Sequence, residues 1–62
     1  MLNELQSDLR ELIDLVRAVE NYDTTMAAAA LSGAPIPAGA GAVAERARKG
    51  HRIEQLRGKW NI

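Results

Sequence analysis

Cysteine and phenylalanine are absent from this chain of 62 residues, and its aromatic residues are Tyr22 and Trp60 alone. Without cysteine the chain can form neither a disulfide nor a thiolate metal site. Alanine supplies much of the 47% hydrophobic content, and each alanine buries little surface. A chain this short forms only a marginal core by itself. We therefore expect one domain at most, with the missing core supplied by identical copies or by a larger partner.

Charged residues are absent from residues 26–44, and this gap separates an acidic segment from a basic one. Residues 1–25 carry six acidic and two basic side chains, a net charge of −4. Residues 45–62 carry two acidic and six basic side chains, a net charge of +4, so the whole chain is neutral. This distribution allows two arrangements. Either the two charged segments fold against each other, or each contacts a different partner of opposite charge.

The clearest pattern lies near the N-terminus, where apolar residues recur at alternating spacings of three and four. The six residues are Leu2, Leu5, Leu9, Leu12, Val16 and Val19. This spacing is the heptad of a coiled-coil or amphipathic helix. Ile13 and Leu15 flank the pattern on opposite sides, which favours a helix that contacts more than one neighbour. The alternative is an ordinary amphipathic helix that packs on its own chain.

A short alanine-rich helix is predicted after the first one. It covers about 24–32, is either separate from the first helix or continuous with it, and is ended by Gly33. Residues 1–33 thus form the first, acidic part of the chain. Prolines at alternate positions then favour extended backbone, so residues 34–41 are predicted to form a linker or extended arm.

The last part of the chain, residues 42–62, is predicted to be a basic helix with a tail. The apolar residues before and after Gly50 lie on different helical faces, which predicts a kink or break at that glycine. The predicted fold is therefore all-α. It consists of a long amphipathic helix, a short alanine-rich helix, an extended proline- and glycine-rich arm and a kinked basic helix, and it is either non-compact or bundled with other chains.

No catalytic, cofactor-binding or metal-binding site is predicted. Residues 39–44 match Gly-x-Gly-x-x-Ala, but the dinucleotide fingerprint requires a preceding strand, and a proline-rich segment precedes this one. His51 and Glu54 lie one helical turn apart, but zinc requires three or four ligands. The serines and threonines have no nearby base that could activate them. We expect a protein that is not an enzyme and that uses no cofactor, metal or small-molecule substrate.

Protein contact is the role that the apolar residues favour. The predicted contact residues are Leu5, Leu9, Leu12, Val16, Val19, Ile36, Leu56 and Trp60. A tryptophan near the end of a chain is costly to leave in water, and tryptophan is common at interface centres. The sequence predicts a small non-enzymatic structural or assembly subunit that packs against copies of itself or a larger protein. A minor component of a bacteriophage particle is one form of this hypothesis, and no motif supports it.

The basic segment supports an alternative hypothesis. Four basic residues lie on roughly one side of the predicted helix, namely Arg48, Lys49, Arg52 and Lys59. They could contact nucleic acid or an acidic protein, in a small regulator of the antitoxin or repressor-accessory type that dimerises through its N-terminal helix. Glu45 and Glu54 interrupt this group and no nucleic-acid-binding motif is present, so nucleic acid is the less favoured partner. In the other interpretation, these bases meet the acidic segment of the same or a neighbouring chain.

Hydropathy and charge also bear on location. Residues 24–44 are uncharged and long enough to span a bilayer, but glycine and proline fill their second half. The start of the sequence lacks the basic stretch and the following apolar core that a secretory signal has. We expect no membrane span, and a location in the cytoplasm or within a particle assembled there rather than outside the cell.

Overall fold

All regular structure in the described part of the chain is helical. The computed structural model describes residues 2–37 and 39–62. Met1, in the predicted first part, and Ala38, in the predicted linker, lie outside the described residues. Helix α1 comprises Leu2–Leu31 and helix α2 comprises Ala40–Trp60. The all-α prediction is therefore confirmed. Neither helix is long and apolar enough to cross a membrane, as far as the described residues go.

The alanine-rich segment does not form a helix of its own, because α1 continues through it as one helix of 30 residues. Asp23 is a residue that often caps a helix, but here its carboxylate accepts two hydrogen bonds from Arg46 of α2. The helix ends where Gly33 adopts a left-handed conformation with φ +80°. Ala34 N–H donates to the carbonyl of Ala29 at 3.1 Å and Gly33 N–H donates to that of Ala30 at 3.2 Å, a Schellman motif.

Helix α2 runs without interruption through Gly50, so no break divides it and the predicted kink is not confirmed. Gly50 instead lies next to the side chain of Arg46, since a Cβ at this position would lie 3.0 Å from a guanidinium nitrogen of that arginine. The missing side chain leaves room for that arginine as it extends toward Asp23. The helix starts two residues earlier than predicted, at Ala40. Residues 34–37, which precede it in the predicted linker, contain no helix.

The two helices form an elongated antiparallel hairpin of 48 × 19 × 16 Å. Their contact is a row of less exposed positions on each helix, again at spacings of three and four. On α1 the row is Leu5, Asp8, Leu12, Leu15, Val19, Tyr22, Met26 and Ala29, and on α2 it is Arg46, Lys49, Ile53, Leu56 and Trp60. We call these residues the interhelix core. Within the described residues Leu56 is the one fully buried side chain, at 1% exposure.

Candidate protein-contact surface

The interhelix core uses only half of the heptad that the sequence displays. Leu5, Leu12 and Val19 belong to both, but the alternate core positions hold Asp8, Leu15 and Tyr22 instead of Leu2, Leu9 and Val16. The two rows differ beyond Val19. One heptad after Val16 comes the charged Asp23, whereas one heptad after Leu15 comes Tyr22, and Ala29 continues that row. The row of Leu15 also contains Asp8, so each row includes one aspartate and local spacing favours neither of them.

One side of the hairpin is closed by ion pairs between the helices. Arg52 donates to both oxygens of Glu11, with Nε–Oε2 at 2.6 Å and Nη2–Oε1 at 2.9 Å. Lys59 Nζ lies 2.6 Å from Glu4 Oε1 and 2.8 Å from Asp8 Oδ2. Four of these five side chains belong to residues that stand one position before a core residue in the sequence, whereas Asp8 is itself a core residue. We call these four residues, Glu4, Glu11, Arg52 and Lys59, the ion-pair face. Of the two arrangements that the charge pattern allows, this structure has the acidic and basic segments folded together.

Trp60 is anchored to the same side of α1. Its indole Nε1–H donates to Asp8 Oδ2 at 2.8 Å, and Lys59 Nζ lies 5.3 Å from the centre of its ring. The hydrogen bond from Lys59, followed by that from Trp60, lowers the pKa of the Asp8 carboxyl. The half-buried tryptophan therefore has a polar partner within its own chain, and an ionised Asp8 occupies a core position of α1.

The same pairing lowers the pKa of two further carboxyl groups. The hydrogen bonds from Arg52 lower the pKa of Glu11, and those from Arg46 lower the pKa of Asp23. In both cases the bonded guanidinium favours the ionised carboxylate. The hairpin thus favours the charged form of Asp8, Glu11 and Asp23, which are spread along most of α1.

The opposite side of the hairpin carries a cluster of apolar side chains. Leu9, Ile13 and Val16 each follow a core residue on α1 and Gly50 follows one on α2, whereas other positions on this side are polar or charged, among them Gln6, Glu20 and Asp23. In a pair of antiparallel helices, the residues that immediately precede core residues in the sequence lie on one side of the pair. The residues that immediately follow core residues lie on the other side. We define the apolar face as Leu2, Leu9, Ile13, Val16 and Val43. The exposed fractions of Leu2, Ile13 and Val43 are 75%, 50% and 52%.

Two ion pairs within the chain lie on the apolar face side, which also carries Glu20 seven residues after Ile13. Arg46 Nη2 lies 3.0 Å from Asp23 Oδ2, close to Val43 at the loop end of the hairpin. Arg57 pairs with Glu54 one turn earlier on α2, at 3.3 Å. This side therefore combines several exposed aliphatic side chains with ion pairs whose charges cancel locally.

The predicted contact residues are divided between these surfaces. Leu9 and Val16 lie on the apolar face, Leu5, Leu12 and Val19 are half-buried in the interhelix core, and Ile36 is exposed in the connection between helices. Leu56 is covered by its own chain and offers no free surface. The sequence analysis missed Ile13, Leu2 and Val43 as contact candidates. The heptad pattern included Leu2 among its apolar positions, and Ile13 lay only beside those positions.

The four basic residues predicted to meet an anionic partner are also divided. Arg52 and Lys59 belong to the ion-pair face, and Arg48 pairs with Glu45 of its own helix. Lys49 is half-buried in the core row and lines a shallow groove beside Tyr22. Three of the four thus contact carboxylates of the same chain.

The groove beside Lys49 has a volume of about 130 Å³. Sites for small molecules usually occupy about 300–1,000 Å³, so this groove is smaller than such a site. In the part of the chain that the structure describes, no three His, Cys, Asp or Glu side chains come together as metal ligands.

Among the described residues, the apolar face thus contains four of the seven exposed large hydrophobic side chains, and the other three are Leu31, Ile36 and Ile62. No protein-family model, curated protein or solved structure matches the chain.

Proposed function

We propose that the chain is a small non-enzymatic structural subunit that packs the apolar face of its hairpin against protein in a larger assembly. The observation that carries this proposal is the difference between the two sides of the hairpin. Ion pairs close one side, whereas Leu2, Leu9, Ile13 and Val43 remain exposed on the other. Apolar surface gains free energy when it leaves water, so the uncovered side is the one that favours contact.

The thin core of the hairpin supports the same proposal. A two-helix hairpin with one fully buried side chain among its described residues removes little apolar surface from water. Folding must offset the conformational entropy of every ordered residue, and a short domain has little surplus for this. Covering the apolar face with another protein would add the burial that the single chain lacks. The hypothesis of a bacteriophage virion component remains a prediction within this proposal.

The ion pairs weigh against the regulator hypothesis. Arg52 and Lys59 would have to leave Glu11 and Glu4 before they could bind phosphate groups. Nucleic-acid affinity depends on basic residues that are free to replace counterions, and here carboxylates already fill that role. The apolar face therefore provides the better-supported contact.

A single substitution on this face tests the proposal in the cells that encode the chain. We would replace Leu9 by Lys in an epitope-tagged chain and measure its size in native extract by size-exclusion chromatography. Wild type should elute in a species larger than one 6.7 kDa chain, and Leu9→Lys should elute as the free chain. A lysine on the apolar face would have to be desolvated by the contact, which is unfavourable.

Leu31→Lys is the matched control, because it makes the same change at a leucine that is 89% exposed at the loop end of α1. Lysine also suits the last turn of a helix. Leu31→Lys should therefore behave as wild type. A wild-type chain that elutes alone, or a Leu9→Lys chain that stays in the large species, would contradict the proposal.

A further inference from the structure

The single hairpin exposes more surface than a compact protein of its mass. Its accessible surface is 4767 Å², whereas a compact monomer of 6.7 kDa exposes about 3,900 Å² by the usual scaling with mass. The excess is about 850 Å², and each partner in a standard protein interface buries about 800 Å². A broad side of the hairpin measures 48 × 19 Å, which is large enough for such an interface. The excess surface thus matches the area that one partner buries in an interface of ordinary size.

The charges on the apolar side narrow the choice of partner. Asp23 pairs with Arg46 and Glu54 with Arg57, so this side presents no block of one sign to attract an acidic or basic partner. The whole chain is also neutral at pH 7. A surface that is largely apolar and has no block of charges of one sign matches a second surface of the same kind, and two copies would bring no like-charged blocks together.

From these observations we propose that the apolar face is covered by a second copy of this chain, so that two hairpins form a four-helix bundle. This inference rests on the proposed function and names the partner of the same face. Two hairpins stacked by one face give a closed two-fold assembly, in which the same patch is used twice. The shared core then contains Leu9, Ile13 and Val16 of both copies, and the ion-pair faces lie outside, in water.

Stacking of two hairpins also explains why the heptad residues outside the interhelix core are apolar. Leu2, Leu9 and Val16 form an apolar row of which Leu2 and Leu9 are exposed and Val16 is half-buried, so the partner helix in the same chain covers it only in part. In a four-helix bundle each helix contacts two neighbours, so α1 needs apolar residues on two adjacent rows. One row packs against α2, and the other packs against the second copy.

Sedimentation of the purified full-length chain, from about 1 to 500 µM, tests this inference. Wild type should reach the mass of two chains of 6.7 kDa. Ile13→Lys should weaken the dimer roughly 100-fold or more, since two-fold symmetry places the substitution twice in one interface. Leu31→Lys, outside the face, should leave the dissociation constant within about threefold of wild type.

The Ile13→Lys chain could lose its helices once it no longer dimerises, so a second measurement uses wild type alone. The melting temperature, followed by circular dichroism, should rise with chain concentration, because association stabilises only the folded chain. A folded wild-type monomer over the whole range would overturn the inference, and so would a dimer that Ile13→Lys leaves intact or a species larger than two chains. If the purified chain is monomeric but Leu9→Lys still releases it from a large species in cells, the proposed function stands and the second-copy inference fails.

Discussion

Leu56 gives the sharpest test of how this hairpin is held together. Its side chain is 1% exposed, and truncating a buried leucine to alanine usually costs about 2–5 kcal/mol. Water reaches both sides of a two-helix layer, so the site can relax and we expect the lower part of that range, about 2–3 kcal/mol. A domain of this length has a free energy of unfolding of about 3–9 kcal/mol. Leu56→Ala should therefore remove a large fraction of the stability and lower the melting temperature by about 10–20 °C.

The assay is thermal and urea unfolding followed by circular dichroism at 222 nm, at one fixed chain concentration because association would shift the midpoint. Leu31→Ala is the matched control, since it makes the same truncation at a residue that is 89% exposed. Its effect should stay within about 0.5 kcal/mol. Equal effects of the two substitutions, or a loss below about 1 kcal/mol for Leu56→Ala, would refute the view that the contact between α1 and α2 centres on Leu56.

Two further predictions concern charge and backbone. The folded-state pKa values of Asp8, Glu11 and Asp23 are lowered, so their ion pairs stabilise the hairpin above the unfolded pKa values, and this stabilisation should be lost as the pH falls through the lower, folded values. Urea midpoints measured from pH 7 to pH 2 should therefore fall in the acid range, and a midpoint that stays constant or rises would contradict the ion-pair face. Gly33→Ala should cost roughly 1 kcal/mol because Gly33 has φ +80°, whereas Gly58→Ala, inside α2 with open space around it, should gain about 0.5–1 kcal/mol. Opposite shifts in the melting temperature would verify this pair. A rise for Gly33→Ala would show that the backbone at Gly33 is not held in that conformation, and a fall for Gly58→Ala would contradict the prediction for α2.

Several local features followed from the amino-acid sequence by itself. The heptad spacing and the helix-forming alanines predict helix over most of α1, and Gly33 marks its end because glycine adopts a left-handed conformation without a Cβ penalty. The absence of cysteine and phenylalanine and the large share of alanine predict a thin core, and Leu56 is the one fully buried side chain among the described residues. These features depend on residue type and on neighbours close in the chain.

The choice between adjacent helical rows was decided only by the tertiary structure. Leu9 and Leu15 are equally apolar, and local spacing does not say which of them meets α2. The row of Leu15 contains Asp8 and continues through Tyr22 and Ala29, whereas the row of Leu9 leads to Asp23, and only the path of α2 along α1 places the first of these rows at the contact. The charge pattern was undecided for the same reason. Attraction between the acidic and basic segments acts equally within one chain or between two, and only the return of α2 along α1 brings Arg52 to Glu11.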